Sequence, residues 1–149
     1  MPTNSSPTES GGFSAAERDL IRQRAAELRA EGKKSARKAD GLRAVLEAIT
    51  VMAPADRVLA ERVHAAVSAH APHLSAKTWY GMPAYTDADG KVVVCLKNAG
   101  TFKSRYATLE FPDAAHLDHS DLWPVSFAIK QWSPVMEQRI VELVEATVS

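Results

Sequence analysis

The hydrophobic period of the chain changes at Pro72, and this change constrains the fold more than any other feature. Before Pro72, apolar residues recur every three or four positions, as they do along the buried stripe of a helix. After it, short apolar runs are separated by turn signals such as Asp89-Gly90, as expected for strands. A last helical stripe follows Ser133 as N-cap and Pro134 in the first turn. Helices, then strands, then a helix predict an α+β fold, and the short turns predict a mainly antiparallel sheet.

Three helices are predicted before Pro72. The first begins at the capping box Ser14-Ala15-Ala16-Glu17 and ends at Gly32. A basic connection, Lys33-Lys34-Ser35-Ala36-Arg37-Lys38, leads to a second helix capped by Asp40, and Pro54 separates this helix from the third. Because each predicted helix carries one apolar stripe, the N-terminal helices and the C-terminal helix can all pack on one face of the sheet. The opposite face is then left open.

Five strand segments are predicted after Pro72. They are Lys77 to Tyr80, Ala84 to Thr86, Lys91 to Lys97, Arg105 to Phe111, and Ser126 to Gln131. The third segment is a continuous apolar run, which suits a central strand. The fourth alternates, so that Ala107, Leu109 and Phe111 share one face. The residues assigned to the open face are Tyr106, Thr108, Glu110, Ser126 and Lys130.

Length and composition predict one domain with a tail. Of the 149 residues, we expect 1–12 to be a disordered tail, 13–39 a helical extension with a basic linker, and 40–149 the α+β domain. The formal net charge is zero, which argues against nucleic acid or an anionic membrane as a partner held by bulk charge. The single cysteine, Cys95, allows no internal disulfide and lies in an apolar run, so we expect a buried, inert thiol.

No segment has the composition of a membrane span or a secretory signal, so we expect a cytoplasmic protein, either a monomer or a homodimer. No nucleophile elbow and no phosphate-binding loop occurs in the sequence. An enzyme therefore ranks below a binding protein, although residues that are distant in sequence can still meet in space.

The most distinctive motif resembles that of a known family. The segment Thr78-Trp79-Tyr80-Gly81-Met82-Pro83-Ala84-Tyr85, with the hairpin Asp89-Gly90-Lys91 and the closing stretch from Phe127 into the last helix, resembles the YdhG-like family of small bacterial proteins. The resemblance covers residues 40–148 and implies a compact, frataxin-like α/β sandwich. The helix beginning at Phe13 is similar to an extension carried by one branch of that family.

Some members of that family are described as intracellular iron chaperones, so the resemblance also implies iron handling as an alternative function. Frataxins bind iron along a dense ridge of carboxylates. The first predicted helix instead mixes acidic residues with arginines, which we expect to pair with those carboxylates. The acidic residues are Glu17, Asp19, Glu27 and Glu31.

Two groups of residues suggest a ligand site. Trp79, Tyr80, Met82 and Tyr85 can form the wall of a pocket for a small molecule or peptide, although Trp79 and Met82 can equally fill the core. A second group consists of cations expected to converge near Tyr80 and Tyr106, where they suit a carboxylate or phosphate. These cations are Lys97, Lys103, Arg105 and Lys130. The alternative for the second group is a solvated rim of the sheet.

A weaker candidate is a metal site in the segment after the fourth strand. His116 and His119 have His-x-x-His spacing, and Asp118 and Asp121 can supply oxygen ligands, but spacing fixes no third ligand. The sequence thus predicts a binding domain that holds a small, anionic ligand or a partner segment near Tyr80-Gly81-Met82-Pro83. The alternatives are a frataxin-like metal chaperone and an enzyme without a recognisable motif.

Overall fold

The computed structural model describes residues 14–148, and the predicted disordered tail, residues 1–12, lies outside them. The helices are α1 (Ala15–Thr50), α2 (Pro54–His70), the short α3 (Ala99–Phe102) and α4 (Pro134–Ala146). The strands are β1 (Ser75–Trp79), β2 (Met82–Thr86), β3 (Val92–Lys97), β4 (Ala107–Glu110) and β5 (Ser126–Ile129). A 3₁₀ turn, Asp113–Ala115, follows β4. The predicted α+β class is confirmed.

The chain divides into two units, residues 1–37 and 38–149. The described part of the first unit is helical and begins with the predicted capping box. The Ser14 N–H donates to Glu17 Oε1 at 2.9 Å, and the Glu17 N–H donates to Ser14 Oγ at 3.1 Å. In the second unit, the Ser133 hydroxyl accepts from the Met136 N–H at 3.2 Å and caps α4 as predicted. Both helix starts therefore follow from local hydrogen bonding.

The predicted helix end at Gly32 and the predicted basic linker after it are wrong. α1 runs without interruption from Ala15 to Thr50. One glycine inside a helix costs about 1 kcal/mol relative to alanine, whereas the lysines, arginines and alanines around it favour the helix. The separate helix start at Asp40 is wrong for the same reason: Asp40 lies inside α1, where its carboxylate accepts from Arg43 at 3.0 Å.

The sheet is an antiparallel meander in the order β1-β2-β3-β4-β5, with β3 at its centre as predicted. One face packs against α1, α2 and α4. Its core contains Val45, Ile49, Leu59, Val63, Val67, Tyr85, Val94, Leu96, Leu109, Phe111, Ile129, Ile140 and Val144. Full burial of each large aliphatic or aromatic side chain contributes roughly 1.5–3 kcal/mol. This helix-side face therefore holds most of the hydrophobic core.

A bulge in β3 divides its apolar run between the two faces. Tyr85 pairs with Val94 and Thr86 pairs with Val92, so Val93 is an extra residue in β3. Val93 and Val94 both belong to the helix-side core, whereas Val92 and Cys95 belong to a smaller cluster on the opposite face. The bulge thus explains how the continuous apolar run of β3 supplies buried side chains to both faces of the sheet.

α1 approaches β1 closely at a glycine. A Cβ added to Gly41 would collide with the carbonyl oxygen of Ala76, a backbone atom that cannot rotate away. A Cβ added to Gly32 would meet no heavy atom within 4 Å. The two glycines of α1 therefore have different roles, and only Gly41 permits a packing contact.

We expect Gly41→Ala to lower the free energy of unfolding by about 1–3 kcal/mol, as overpacking typically does. The matched control is Gly32→Ala, which should leave stability unchanged or raise it by up to about 1 kcal/mol. Urea denaturation followed by circular dichroism measures both variants. A Gly41→Ala protein as stable as wild type would contradict the close approach of α1 to β1.

Candidate functional site

The meander brings three chain segments to one end of the sheet. β1, β3 and β5 run in the same direction, so the β1–β2 turn, the β3–β4 connection and the residues after β5 lie at the same end of the sheet, spread from one edge strand to the other. All but one of the ligand residues predicted from the sequence belong to these segments or to their first and last strand positions. They are Trp79, Tyr80, Met82, Lys97, Lys103, Arg105, Tyr106 and Lys130. We refer to Lys97, Lys103, Arg105 and Lys130 as the cationic rim.

The β1–β2 turn contains only Tyr80 and Gly81, both with positive φ, of 51° and 78°. This is the backbone of a two-residue hairpin, and it confirms the predicted bend at Gly81. Trp79 pairs with Met82 across the turn. The Tyr80 side chain is 83% exposed, and its ring centre lies 5.3 Å from that of Trp79. The turn thus presents an aromatic ring to solvent at the end of the sheet.

The end of β3 and the β3–β4 connection carry three of the four rim cations. Lys97 Nζ lies 4.9 Å from the centre of the Phe102 ring, and Arg105 Cζ lies 5.3 Å from the centre of the Tyr106 ring. These are cation–π distances, so Lys97 and Arg105 each have an aromatic neighbour. The structure therefore pairs cations with rings in this connection, although Phe102 was not among the residues predicted from the sequence.

Asp56, in the first turn of α2, holds the β3–β4 connection in place. Asp56 Oδ2 accepts from the Gly100 N–H at 2.9 Å and from Asn98 Nδ2 at 3.3 Å. Asn98 is only 3% exposed, and its Nδ2 also donates to Thr101 Oγ1 at 2.8 Å. A buried amide that satisfies two partners fixes the loop that positions the rim.

The rim segments carry positive charge without negative charge of their own. Residues 79–82, 97–106 and 130–133 contain four cations and no Asp or Glu. Three carboxylates lie near these segments: Asp56 and Glu137, which accept hydrogen bonds from neutral N–H groups and keep their charge, and Glu110, which lies beside the Cys95 sulfur that Lys97 also influences. The segments themselves therefore carry only positive charge, although the whole chain is neutral and acidic residues of neighbouring elements lie beside them.

Met82 and Trp79 pack on the sheet face opposite the helices. Met82, Ala84 and Cys95 form a small buried cluster, against which Trp79, Val92 and Phe102 pack. Tyr85, from the same strand as Met82, is 2% exposed and belongs to the helix-side core. The structure therefore does not bring Tyr85 together with Tyr80, Met82 and Tyr106. The aromatic motif is divided between two sides of the sheet.

Cys95 is buried, as predicted. Burial raises the pKa of its thiol to about 12, with the Glu110 carboxylate acting in the same direction and Lys97 opposing both. Glu110 Oε1 lies 4.0 Å from the Cys95 sulfur. A thiol in this setting stays protonated and is a poor nucleophile.

The weak metal candidates flank a cavity of about 590 Å³ after the 3₁₀ turn. His116, Asp118 and His119 line it together with Arg139, and Asp121 is not among its lining residues. Within residues 14–148, no group of three or more His, Cys, Asp or Glu side chains is arranged to hold a metal ion.

Along α1, Arg22 pairs with Asp19, and Arg24 pairs with Glu27 at 4.0 Å. The expected pairing of arginines with the acidic residues of this helix is thus observed for two of them.

A histidine–tyrosine pair lies on the helix side of the sheet, and sequence reasoning did not find it. His64 Nδ1 and Tyr85 Oη are 2.7 Å apart, in a hydrogen bond at the wall of a pocket of about 190 Å³. Burial lowers the pKa of His64 and raises the pKa of Tyr85. The two residues are far apart in the chain, so no motif spacing could have indicated the contact. His70, by contrast, lies on the predicted stripe of α2 and contacts Glu145 Oε2 at 3.1 Å.

No family model, curated protein or solved structure matches this chain. The resemblance to the YdhG-like family therefore stays a prediction that rests on the Thr78–Tyr85 motif and its surroundings. Between residues 14 and 148, no helix combines the length and apolar character that crossing a bilayer requires.

We expect Cys95 to react with Ellman's reagent at pH 8 about a thousandfold more slowly in the folded protein than in the urea-unfolded chain. The reason is that a pKa near 12 leaves far less thiolate than the ordinary pKa of an exposed cysteine, about 8.5. The folded state keeps the thiol proton to higher pH than the unfolded chain does. The contribution of this proton to the free energy of unfolding is therefore fully present below about pH 8.5 and is lost as the pH rises toward 12. Equal reaction rates in the two states would contradict the burial of Cys95.

Proposed function

We propose that this protein is a binding module whose cationic rim holds an anionic ligand. The ligand that suits this rim best is an acidic segment of a partner protein, and this segment also carries aromatic or aliphatic side chains. The observation that supports this function is the gathering of four cations and the rings of Tyr80, Phe102 and Tyr106 at one end of the sheet. The segments that supply them contain no carboxylate.

Cations beside aromatic rings favour a ligand with two chemical characters. Arg105 can form paired hydrogen bonds with a carboxylate, while its own position over the Tyr106 ring limits how it is oriented. The exposed ring of Tyr80 offers flat apolar surface beside these charges. A ligand that combines carboxylates with rings or aliphatic groups uses both features at once.

A segment fits the rim better than a small molecule does. Small-molecule sites are concave and bury most of the ligand, whereas Tyr80, Lys103, Arg105 and Lys130 are exposed. The cations also come from separate connections, so a ligand that contacts several of them must extend along the end of the sheet. Net neutrality does not oppose this, because charges are screened over about 8–10 Å in physiological salt and only the local balance acts on the ligand.

We expect the double variant Lys103→Glu/Arg105→Glu to bind such a segment at least about tenfold more weakly than wild type, a loss of about 1.4 kcal/mol. The probe is a short rhodamine-labelled peptide that alternates Glu with Tyr, and fluorescence anisotropy measures its dissociation constant. Tyr80→Asn should weaken binding several-fold without unfolding the protein, because Tyr80 is exposed and Asn tolerates its positive φ.

The matched control is Lys33→Glu/Lys34→Glu, which makes the same change in net charge on α1. This variant should bind the peptide as wild type does. Equal losses in the two double variants would refute the rim as the site, because only bulk charge would then matter. Tighter binding of a single-stranded oligonucleotide than of the peptide would assign the rim to nucleic acid and overturn the acidic-segment proposal.

A further inference from the structure

The pocket beside Tyr85 is a separate concavity, on the helix-packed face of the sheet. It has a volume of about 190 Å³ and is lined by residues from α1, α2, the following loop, β1 and β2. Its walls are largely apolar and include Val67, Ala71, Leu74 and Ala76. Ser68 contributes a lining side chain that is exposed to solvent, so the pocket opens beside α2.

One polar pair interrupts the apolar wall. His64 Nδ1 and Tyr85 Oη are 2.7 Å apart, and their ring centres are separated by 5.7 Å. If the phenol donates to Nδ1, the phenol oxygen remains an acceptor and Nε2 carries the imidazole proton. If Nδ1–H donates instead, the phenol O–H remains a donor. In either arrangement the pair keeps hydrogen-bonding capacity for a third group.

The volume of the pocket sets the size of what it can hold. An apolar cavity of about 150 Å³ binds benzene in an engineered protein, so a pocket of about 190 Å³ accommodates a single ring with one substituent. Its chemistry favours an uncharged group, because transfer of an ion to an apolar site is costly unless the ion is paired. The cation among the lining residues, Lys38, is exposed to solvent, where its charge is screened.

We propose that this pocket binds a small, uncharged, single-ring molecule with one hydroxyl group, of the phenol class, whose hydroxyl hydrogen-bonds to the His64–Tyr85 pair. This site is independent of the cationic rim, because Tyr85 faces the helices and the rim lies at the end of the sheet. The two proposals therefore stand or fall on different measurements.

The probes are p-cresol, toluene and benzoate, and the measurement is titration of the full-length protein followed by two-dimensional ¹H–¹⁵N NMR. We expect p-cresol to shift the amide signals around the pocket and to bind about tenfold more tightly than toluene, which has the ring without the hydroxyl. Benzoate should bind more weakly than either neutral probe. Equal affinities for p-cresol and toluene, or preferred binding of benzoate, would overturn the proposed ligand class.

Two variants separate the site from the fold. Ser68→Phe should obstruct the pocket and abolish binding of p-cresol, whereas Ala69→Phe, at the next exposed position of α2 and outside the lining, should leave it unchanged. Tyr85→Phe removes only the hydroxyl, so it should lower p-cresol affinity to that of toluene while toluene still binds, which also reports that the fold is intact. Unchanged p-cresol binding in Ser68→Phe would refute this location.

Discussion

The register between β2 and β3 is the constraint on which the rest of the structure depends. Tyr85 opposes Val94 and Ala84 opposes Cys95, so one strand sends alternate side chains to the helices and to the smaller cluster behind the sheet. A slip of one residue would reverse every side chain of the strand. The extra residue Val93 lets the apolar run of β3 satisfy both faces without such a slip. The positions of both proposed sites depend on this register between β2 and β3.

α2 supports both sites through residues that point to different parts of the unit. Asp56, in its first turn, fixes the β3–β4 connection through the Gly100 N–H, and His64, two turns later, pairs with Tyr85. Val63 and Val67, on the same helix, are buried in the core. The helix is therefore anchored by packing, and its polar side chains hold a loop and a pocket wall in defined places. A rigid element of this kind is a suitable support for a binding site.

The distribution of charge is the basis of the proposal that a neutral chain binds an anionic ligand. Along α1, acidic and basic side chains alternate closely enough to pair, as Arg43 does with Asp40. At the end of the sheet, the segments that carry the rim cations contain no acidic residue of their own, and Lys97 and Arg105 lie over rings. Exposed ion pairs on a helix contribute little to stability or to long-range fields. Among the described residues, the rim cations form no ion pair within 4.0 Å, so they are the charges that the proposed ligand would contact.

Features that depend on neighbouring residues were predictable from the sequence. The capping box at Ser14, the cap at Ser133, the bend at Gly81 and the two-sided alternation of β4 all follow from short-range geometry and recur in the structure. The convergence of the rim cations near Tyr80 and Tyr106 stays a prediction, because the meander brings their segments to one end of the sheet but places the β1–β2 turn and the residues after β5 at opposite edges. The prediction of a helix end at Gly32 was wrong because it considered the low helix propensity of one glycine alone. Whether a helix continues depends on the summed helix propensity and packing of all its residues, and α1 continues to Thr50.

The amino-acid sequence by itself determined the class of fold, the order of helical segments before strands and a last helix after them, and the alternation of β4, because these follow from local conformational preference and hydrophobic period. Only the tertiary structure decided that Met82 and Tyr85 serve opposite sides, that Gly41 meets the Ala76 carbonyl, and that His64 pairs with Tyr85. Those outcomes depend on register and on the packing of elements distant in the chain. No local sequence pattern encodes these contacts, because each one depends on how two elements that are distant in the chain pack against each other.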